Sequence, residues 1–378
     1  MSRWCLCLSL LFGLAAATCG QPAADPGDPD GGGRPTPDAA VGSEGGAVAA
    51  DAAPTDSAAA PPRDASPRLD GPPPQGSYLC SQPVPTGAPT PSPPPAYSGG
   101  TCPLLVPGTN VFPSGGVNRE LILVLPTTIG AGESLPLTFL WHTTGTSADV
   151  YLERGELTTA IEQQRFIAVL PEDKGDLPFR WPVSLLESQA RVDEEVRFFD
   201  DMLACVTQQF PVNLQCVSSN GVSTGGLWAS LLQGLRGDYL ASFFSLSGGC
   251  GGVIKPYPSP AHRSPAIVLW GGPNDGCLGL FSLANTSLDL EQHLVADGRF
   301  LIECIHNCGH AMPPFEPAPG ESSFRMLWDF ALNHPFWLPP GYSPYLDWGL
   351  PSSYPSWCAI GAGNAVPRTG ACLGPSEC

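Results

Sequence analysis

The sequence predicts an α/β protein in which a mostly parallel central sheet is flanked by helices. Two observations support this class. From Thr101 onward, short apolar runs of four to six residues alternate with amphipathic stretches and turn residues, which is the pattern of strands that alternate with helices. The runs are mostly apolar on both faces, as expected for strands buried between two layers of helices.

Residues 1–19 predict a signal peptide. Arg3 precedes an apolar stretch that ends at Ala17, and small residues follow it. The stretch is shorter than the roughly 20 residues that cross a bilayer. Ala16-Ala17-Thr18-Cys19 resembles a bacterial lipoprotein box, so two outcomes stay open: a membrane tether through lipidated Cys19, or secretion after cleavage near Ala17. We expect a secreted protein or a bacterial cell-surface lipoprotein.

Residues 20–100 predict a disordered leader rich in Pro, Ala and Gly. Aromatic and branched apolar residues are almost absent from it. Such a segment cannot bury enough apolar surface to offset the entropy that is lost on ordering. It would serve as an extended tether that holds a folded domain off a cell surface, or as a spacer without a role of its own.

Charge and cysteine content limit the partners and the compartment. The net charge is −18 with only 17 Lys and Arg, so the chain offers no basic face and nucleic acid is not an expected partner.

Three of the 14 Cys lie in the predicted signal peptide, and the other 11 allow five disulfides and one spare thiol in an exported chain. Proximity along the chain favours Cys205–Cys216 and Cys250–Cys277 as first pairings.

The predicted folded domain, residues 101–340, opens with three strands: Leu121–Leu125, Leu137–His142 and Phe166–Leu170. A proline follows the first and third strands directly. Val192–Leu203 then places apolar residues on one face at helical spacing and carboxylates on the other, which predicts an amphipathic crossover helix. The carboxylates could also be read as a metal site, but a solvated helix face is the commoner reason for such a cluster.

Gly221-Val222-Ser223-Thr224-Gly225 contains the G-x-S-x-G pattern of a nucleophile elbow, a sharp turn between a strand and a helix that exposes a serine hydroxyl. The pattern alone is weak in a chain with 44 Gly. Its flanks support it, because Leu214–Ser219 can form a strand and Leu227–Leu232 continues as a helix without Pro or Gly. Ser223 is therefore the predicted nucleophile, and the expected fold is that of the α/β-hydrolases.

A nucleophilic serine needs a histidine that takes its proton and a carboxylate that orients the histidine. In this fold the acid follows a later strand and the histidine follows the last one. Ala266–Trp270 predicts a strand that leads to Asp275, and Phe300–Ile305 predicts the strand before His310. We therefore predict a triad of Ser223, Asp275 and His310. The competing residues are Asp289 and Asp297, both in a predicted helix, and His306 at the strand end.

Two backbone N–H groups should stabilise the oxyanion that forms during acyl transfer. We assign one to Thr224, directly after the nucleophile, and the other to Thr143, in the loop after the second predicted strand. The alternative is that His142 and the threonines only form a turn.

A zinc site is a further alternative near the histidine, because thiolate and imidazole groups are common zinc ligands. The residues concerned are Cys304, His306, Cys308 and His310. Closely spaced cysteines in an exported chain are more often oxidised, and no second ligand pair supports a metal. We expect no metal and no cofactor.

Across residues 104–335 the chain resembles the exported feruloyl esterases and polyhydroxybutyrate-depolymerase-like esterases of the α/β-hydrolase superfamily. The resemblance rests on the strand that ends in His142, Leu170-Pro171-Glu172-Asp173 before a loop with Trp181, the Val192–Leu203 helix, the elbow and Gly309-His310. It implies an ester substrate, either feruloyl or acetyl groups on plant polysaccharide or a microbial polyester.

The sequence thus predicts a monomeric serine carboxylic ester hydrolase that acts through an acyl-enzyme, and the resemblance implies feruloyl or acetyl esters of plant polysaccharide. Two alternatives stay open: a polyhydroxyalkanoate depolymerase, and a non-catalytic surface lipoprotein that keeps the fold as a binding module. Residues 341–378 predict a C-terminal extension with Cys and aromatic residues. It would be strapped to the domain by disulfides, or its aromatic rings would stack on sugars.

Overall fold

The computed structural model describes residues 77–277 and 281–373. The strands found there are β1 (Gly108–Ser114), β2 (Val117–Val124), β3 (Leu135–Trp141), β4 (Ile167–Pro171), β5 (Val212–Val222), β6 (Ser242–Leu246), β7 (Ala266–Trp270), β8 (Gly276–Cys277), β9 (Phe281–Ser282), β10 (Leu301–Ile305) and β11 (Cys358–Ile360). Nine of them form one sheet in the order β1-β2-β4-β3-β5-β6-β7-β10-β11, and β8 pairs with β9 separately.

The centre of this sheet is parallel. From β4 across to β10 every neighbouring pair of strands runs in parallel. Antiparallel pairs occur only toward the edges of the large sheet, where β1, β2 and β11 lie. Every residue of β3, β4, β6, β7 and β10 is buried, as their apolar sequences predict. The prediction of a mostly parallel α/β sheet is confirmed.

Helices cover both faces of the sheet. They are α1 (Ala148–Arg154), α2 (Leu157–Gln164), α3 (Gln189–Gln209), α4 (Thr224–Leu235), α5 (Leu283–Ala296), α6 (Arg325–Asn333) and α7 (Tyr345–Trp348). Helices α3, α4 and α5 pack on one face, against side chains such as Phe139 and Phe243. Helices α1, α2 and α6 pack on the other face, against Leu140 and Phe244. Because side chains alternate along a strand, each strand contributes to both cores.

The predicted elements lie where the sequence places them, with longer bounds in several cases. Strand β7 has the predicted limits, whereas the helix predicted at 192–203 extends over 189–209. It begins early because Ser188 caps it, with Oγ accepting the Arg191 N–H at 3.3 Å. It ends late because Cys205 and Val206 continue its buried stripe beyond Leu203, and it stops at Gln209, two residues before Pro211. The predicted limits therefore marked only its most regular part.

The last part of the predicted linker, residues 77–100, belongs to the folded domain. Its part at 20–76, the predicted signal peptide and Cys19 lie outside the described residues. Residues 77–100 pack on the domain instead of being disordered. Leu79 is buried, and the Tyr97 hydroxyl donates to the Pro113 carbonyl oxygen at 2.7 Å. The Cys80–Cys216 disulfide and a few buried apolar side chains attach this stretch to the domain. The average composition of the stretch does not reveal these contacts.

Four disulfides join described residues: Cys80–Cys216, Cys102–Cys205, Cys304–Cys358 and Cys308–Cys372. The pairing of Cys205 with Cys216 is therefore wrong. The pairing of Cys250 with Cys277 is also wrong, because Cys250 carries a buried free thiol and Cys277 is disulfide-bonded. Closeness along the chain misled both predictions, since each observed bond spans at least 54 residues.

The C-terminal extension is part of the fold. Strand β11 pairs antiparallel with β10, and Glu303 faces Ala359 in this register. Trp357 is buried against the domain, and the two disulfides between described residues of the extension and the rest of the chain reach the strand and loop that precede His310. In the described part of the chain, no helix combines the length and the apolar character that crossing a membrane requires.

Candidate active site

Ser223 lies at the sharp turn between β5 and α4. Strand β5 ends at Val222 and helix α4 begins at Thr224, so Ser223 alone makes the turn. Its φ of 54° and ψ of −120° are unusual for a residue with a side chain. The Ser223 N–H donates to the Leu246 carbonyl oxygen at 2.7 Å, which ties the turn to β6. The backbone therefore has the strained form that a nucleophile elbow requires.

Two glycines allow this turn to close. A Cβ at Gly221 would lie 2.3 Å from the Gly225 carbonyl oxygen. A Cβ at Gly225 would lie 2.0 Å from the carbonyl oxygen of Trp141, at the end of β3. Neither contact is possible for a real side chain, so the G-x-S-x-G spacing is needed both for the turn and for its packing against β3.

Asp275 is held at the end of β7. A 3-10 turn at Gly272–Asn274 follows the strand and leaves the Asp275 side chain almost completely buried. Its Oδ2 accepts the Gly271 N–H at 2.7 Å. Its Oδ1 lies 2.8 Å from His310 Nδ1. One carboxylate oxygen is thus fixed by the backbone and the other is directed at the histidine.

His310 lies on the loop after β10 and completes the contact chain. Its Nε2 lies 2.9 Å from Ser223 Oγ. Because the Asp275 carboxylate can only accept at His310 Nδ1, the neutral ring carries its proton there and offers an Nε2 lone pair to the serine hydroxyl. The Gly309 N–H donates to the Gly271 carbonyl oxygen at 3.1 Å, which joins the loops of the acid and the histidine. The structure therefore brings Ser223, Asp275 and His310 together.

The competing residues have other contacts. Asp297 ends α5 and accepts hydrogen bonds from Tyr257 and Ser259, and Asp289 lies on α5 beside Gly251. His306 Nδ1 accepts the Cys308 N–H at 3.2 Å, and burial lowers the pKa of His306 to about 4. The zinc alternative loses both of its thiolates, since Cys304 and Cys308 are in disulfides.

The loop after β3 is fixed beside the elbow by its peptide groups. The indole Nε1 of Trp181 donates to the His142 carbonyl oxygen at 2.8 Å. Since the N–H of a peptide points opposite to its carbonyl, this bond fixes the direction of the Thr143 N–H. The Thr144 N–H donates to Thr224 Oγ1 at 3.0 Å. Thr143 and Thr224 are therefore held on neighbouring segments, with the Thr144 amide already bonded.

A second group of polar side chains lies behind this loop. His142 is fully buried, and its Nε2 is 3.5 Å from carboxylate oxygens of both Glu172 and Asp173. These side chains could approach a metal ion. However, His142 Nε2 accepts the Asp173 N–H at 3.2 Å, and Nδ1 then donates to the Thr143 carbonyl oxygen at 3.1 Å. Both ring nitrogens of His142 are hydrogen-bonded to backbone atoms. The His142 side chain therefore orients the loop after β3 and has no nitrogen lone pair left for a metal ion.

The polar end of β5 has a structural explanation. Ser219 Oγ accepts a hydrogen bond from the Trp141 indole at 2.9 Å. On the opposite face, Ser218 Oγ and Asn220 Nδ2 both donate to Thr138 Oγ1, at 3.0 and 2.9 Å. These side chains join β3 to β5 below the elbow. Buried polar groups are thereby mostly paired, as their burial requires.

A cavity of about 120 Å³ adjoins His310 on the α1 and α6 side of the sheet. Most of its lining is apolar, and its floor is the sheet itself. Its walls include α1, α6, the loop after β3 and the segment directly after His310. Characteristic lining residues are Leu140, Val222, Leu246, Phe315, Leu327 and Trp328.

Comparison with known proteins identifies the fold. No protein-family model matches the sequence, and a comparison with curated protein sequences gives no match. The solved structure of native pOPH matches at a TM-score of 0.54 and 18% identity, covering 71% of this chain and 98% of pOPH. Native sOPH matches at a TM-score of 0.54 and 19% identity, covering 70% and 97%. These likenesses show the fold, which is that of the α/β-hydrolases.

A substrate does not follow from these comparisons. A solved ferulic acid esterase aligns over 37% of this chain at a TM-score of 0.32, which is too low to bear on what this chain binds.

Sequence reasoning missed the residues that support the site. Thr144, Trp181 and the cavity wall around Phe315 were not assigned a role. Trp181 is a signal that could have been used, because a tryptophan in a polar loop needs a partner for its indole N–H. The contacts of Thr144 and Phe315 depend on segments that are distant in the sequence.

Proposed function

We propose that the protein is a serine carboxylic ester hydrolase that forms an acyl-enzyme at Ser223. The observation that carries this proposal is the contact chain from Asp275 Oδ1 to His310 Nδ1 at 2.8 Å and from His310 Nε2 to Ser223 Oγ at 2.9 Å. These distances are within the range in which a base can take the proton of a nucleophile.

In the acylation step, Ser223 Oγ attacks the ester carbonyl carbon while His310 Nε2 takes the hydroxyl proton. Asp275 keeps the histidine oriented and stabilises the imidazolium that forms. The carbonyl oxygen gains negative charge and is bound by the backbone N–H groups of Thr224 and Thr143. His310 then gives the proton to the alkoxide, which leaves as an alcohol, and the acyl group stays on Ser223.

In the deacylation step, a water molecule takes the place of the departed alcohol. His310 Nε2 accepts one of its protons, and the water oxygen attacks the acyl carbon. The same two N–H groups bind the oxyanion. The carboxylic acid then leaves and Ser223 regains its proton.

The proposed substrates are feruloyl or acetyl esters of plant polysaccharide, hydrolysed outside the cell. The apolar cavity beside His310 supports a small acyl group, because a polymeric alcohol would have to stay at the surface. The four disulfides between described residues support an oxidising compartment. A secreted or surface-anchored enzyme would meet such a polymer directly.

The test is turnover of a chromogenic acetyl ester and of methyl ferulate by wild type, Ser223→Ala and Ser352→Ala. Ser223→Ala should lower kcat at least about 10³-fold, because the acyl group then has no nucleophile to bond. Ser352 is exposed and outside the contact chain, so Ser352→Ala should behave as wild type.

A covalent phosphonate inhibitor should also add its mass to the Ser223 peptide. Absence of wild-type turnover, or full activity in Ser223→Ala, would refute the proposal and favour a binding module. A panel of amide substrates separates an esterase from a peptidase, since both reactions can use the same triad.

A further inference from the structure

A second groove borders the active-site cavity. Its volume is about 710 Å³, and Phe315 lines both the groove and the cavity. Three parts of the chain form the groove: the segment after His310, the first half of α6, and the C-terminal extension at 351–357 and 366–369. The groove is therefore separate from the site that the proposed reaction uses, although one aromatic ring borders both.

The groove presents apolar surface and a buried hydroxyl. Five prolines and the rings of Phe315, Tyr354 and Trp357 line it. Val366 also lines it and is 73% exposed. The hydroxyl of Ser322, a buried lining residue, has no hydrogen-bond partner among the described residues. Exposed apolar surface next to a buried unpaired hydroxyl favours an occupant that covers the first and pairs with the second.

The described part of the chain begins at the edge of this groove. The Tyr78 hydroxyl donates to Asp329 Oδ1 at 3.0 Å, and Asp329 lines the groove. The Leu79 N–H donates to Asn333 Oδ1 at 3.2 Å, and a disulfide holds Cys80. The residues directly before Tyr78 are therefore tethered within reach of the groove.

Residues 69–75 have the chemistry that this groove fits. Their sequence is Leu-Asp-Gly-Pro-Pro-Pro-Gln. A run of prolines favours the polyproline II conformation, whose carbonyl oxygens have no internal donor. Grooves lined by aromatic rings bind such runs, and a hydroxyl such as that of Ser322 can donate to one of the carbonyl oxygens. At about 3.1 Å per residue, the three prolines lie about 12–19 Å from Tyr78 along an extended chain.

A weak contact is sufficient for this occupant because it belongs to the same chain. A segment that is joined to its site by a short link has an effective concentration of the order of mM. A segment of another molecule has only its own concentration in solution and would have to bind more tightly. The position of residues 69–75 next to the anchored Tyr78 therefore favours them over a second copy of the chain.

We propose that residues 69–75 bind in the groove between α6 and the C-terminal extension. Leu69 and the prolines cover Val366 and the aromatic rings, and a proline carbonyl oxygen accepts from Ser322 Oγ. Bound there, the segment packs beside Phe315 and supports one wall of the active-site cavity. The groove is thus an interaction surface for the chain's own leader.

Tryptic cleavage after Arg68 tests the proposal in the full-length protein. A protease acts on the fraction of molecules in which the segment is released, so binding in the groove slows the cut. The measurement is the initial rate at which the new N-terminus at Leu69 appears, followed by mass spectrometry. Wild type should be cut at least about 5-fold more slowly than a free peptide of residues 63–76.

The first variant changes the segment. Pro72→Ser/Pro73→Ser/Pro74→Ser removes the proline run and should bring the cleavage rate close to that of a free peptide with the same substitutions. The matched control is Pro35→Ser/Pro37→Ser, which makes the same kind of change more than 30 residues earlier in the leader. It should keep the wild-type rate.

The second variant changes the groove. Val366→Glu places a charge on its apolar surface and should also bring the cleavage rate toward that of the free peptide. Val111→Glu is the matched control, because Val111 is 60% exposed on β1 and does not line the groove. It should be cut as slowly as wild type. Both valines are exposed, so neither change removes a side chain from the core.

Two results would overturn the proposal: wild type that is cut as fast as the free peptide, or Val366→Glu protein that keeps the wild-type rate. Protection that is lost on dilution by about 100-fold would also reject it, because a second copy would then occupy the groove. If the triple proline variant aggregates, wild type and the two valine variants still decide the question.

Discussion

At the scale of single residues, Thr224 serves the site in two ways. Its backbone N–H is one of the two proposed oxyanion donors, and its Oγ1 accepts the Thr144 N–H at 3.0 Å. The first role could be predicted from the position after Ser223. The second depends on a loop 80 residues earlier in the chain, and the elbow pattern contains no information about it. The side chain thereby links the two segments that would bind the oxyanion.

Thr224→Val should lower kcat about 10- to 100-fold. Valine keeps the shape but leaves the Thr144 N–H without its acceptor, a loss of roughly 1–3 kcal/mol that frees the loop to move. Thr224→Ser keeps the hydroxyl and should stay within a few-fold of wild type. Steady-state kinetics with a short-chain ester give the answer: the loss should fall on kcat more than on KM. Equal activity of the Val and Ser variants would contradict the role of the hydroxyl.

At the scale of elements, α5 supports the loop that carries Asp275. The indole of Trp270, the last residue of β7, donates to Glu291 Oε1 at 3.1 Å. Glu291 is buried on α5 beside Glu303 of β10. Burial and then the charge of Glu303 raise the pKa of Glu291 to about 8. Two carboxyl groups that share a dry site are thus accommodated by keeping one of them protonated.

This pair should make stability depend on pH. The Glu291 carboxyl ionises near its ordinary 4.5 in the unfolded chain and near 8 in the folded chain. Between these values the folded chain binds more protons, so the free energy of unfolding should fall as pH rises. Glu291→Gln removes this titrating group. Between pH 5 and pH 8 the free energy of unfolding of the variant should therefore fall by roughly 1–3 kcal/mol less than that of wild type. Urea unfolding at several pH values measures it.

The control is Glu120→Gln on the exposed side of β2, which should keep the wild-type slope. A Glu291→Gln protein with the same pH slope as wild type would show that Glu291 is not the group responsible.

Elements with strong local patterns could be predicted from the sequence, and elements that depend on distant partners could not. Strand β7 is five apolar residues before a turn, and its predicted limits are those observed. Asp275 and His310 each follow such a short strand, and Ser223 lies in the G-x-S-x-G pattern, so their positions along the chain were predictable. Strand β11 has only three residues and exists because it pairs with β10. The cavity walls likewise come from α1, α6 and the His310 loop, which no local pattern brings together.

At the scale of the whole molecule, the disulfides tie the two ends of the described chain to the sheet. Cys102–Cys205 and Cys80–Cys216 fasten the segment before β1 to α3 and β5, and they close loops of 103 and 136 residues. Cys304–Cys358 and Cys308–Cys372 fasten the C-terminal extension around β10. The first pair of bonds lies away from the cavity, whereas the second pair flanks the strand that delivers His310.

The double variant Cys102→Ala/Cys205→Ala should lower the free energy of unfolding by about 2–5 kcal/mol, because the unfolded chain regains the freedom that the long loop removes. Chemical denaturation measures the change. Ester hydrolysis at low temperature should stay at the wild-type level, since neither cysteine contacts the proposed triad. Cys308→Ala/Cys372→Ala should instead lose activity while the protein is still folded. Equal effects of the two double variants on activity would contradict this division.

The bonds around His310 also set an order of events during biosynthesis. Chains are made from the N-terminus, so Ser223, Asp275 and His310 all exist before Cys358 and Cys372 have been added. A newly made chain whose thiols are still reduced carries every residue of the proposed triad without the covalent latches around its histidine. Oxidation, and not the completion of synthesis, would then be the step that completes the proposed active site. In a reducing compartment the proposed triad would therefore stay without these bonds, and the cell's own esters would not meet the completed site.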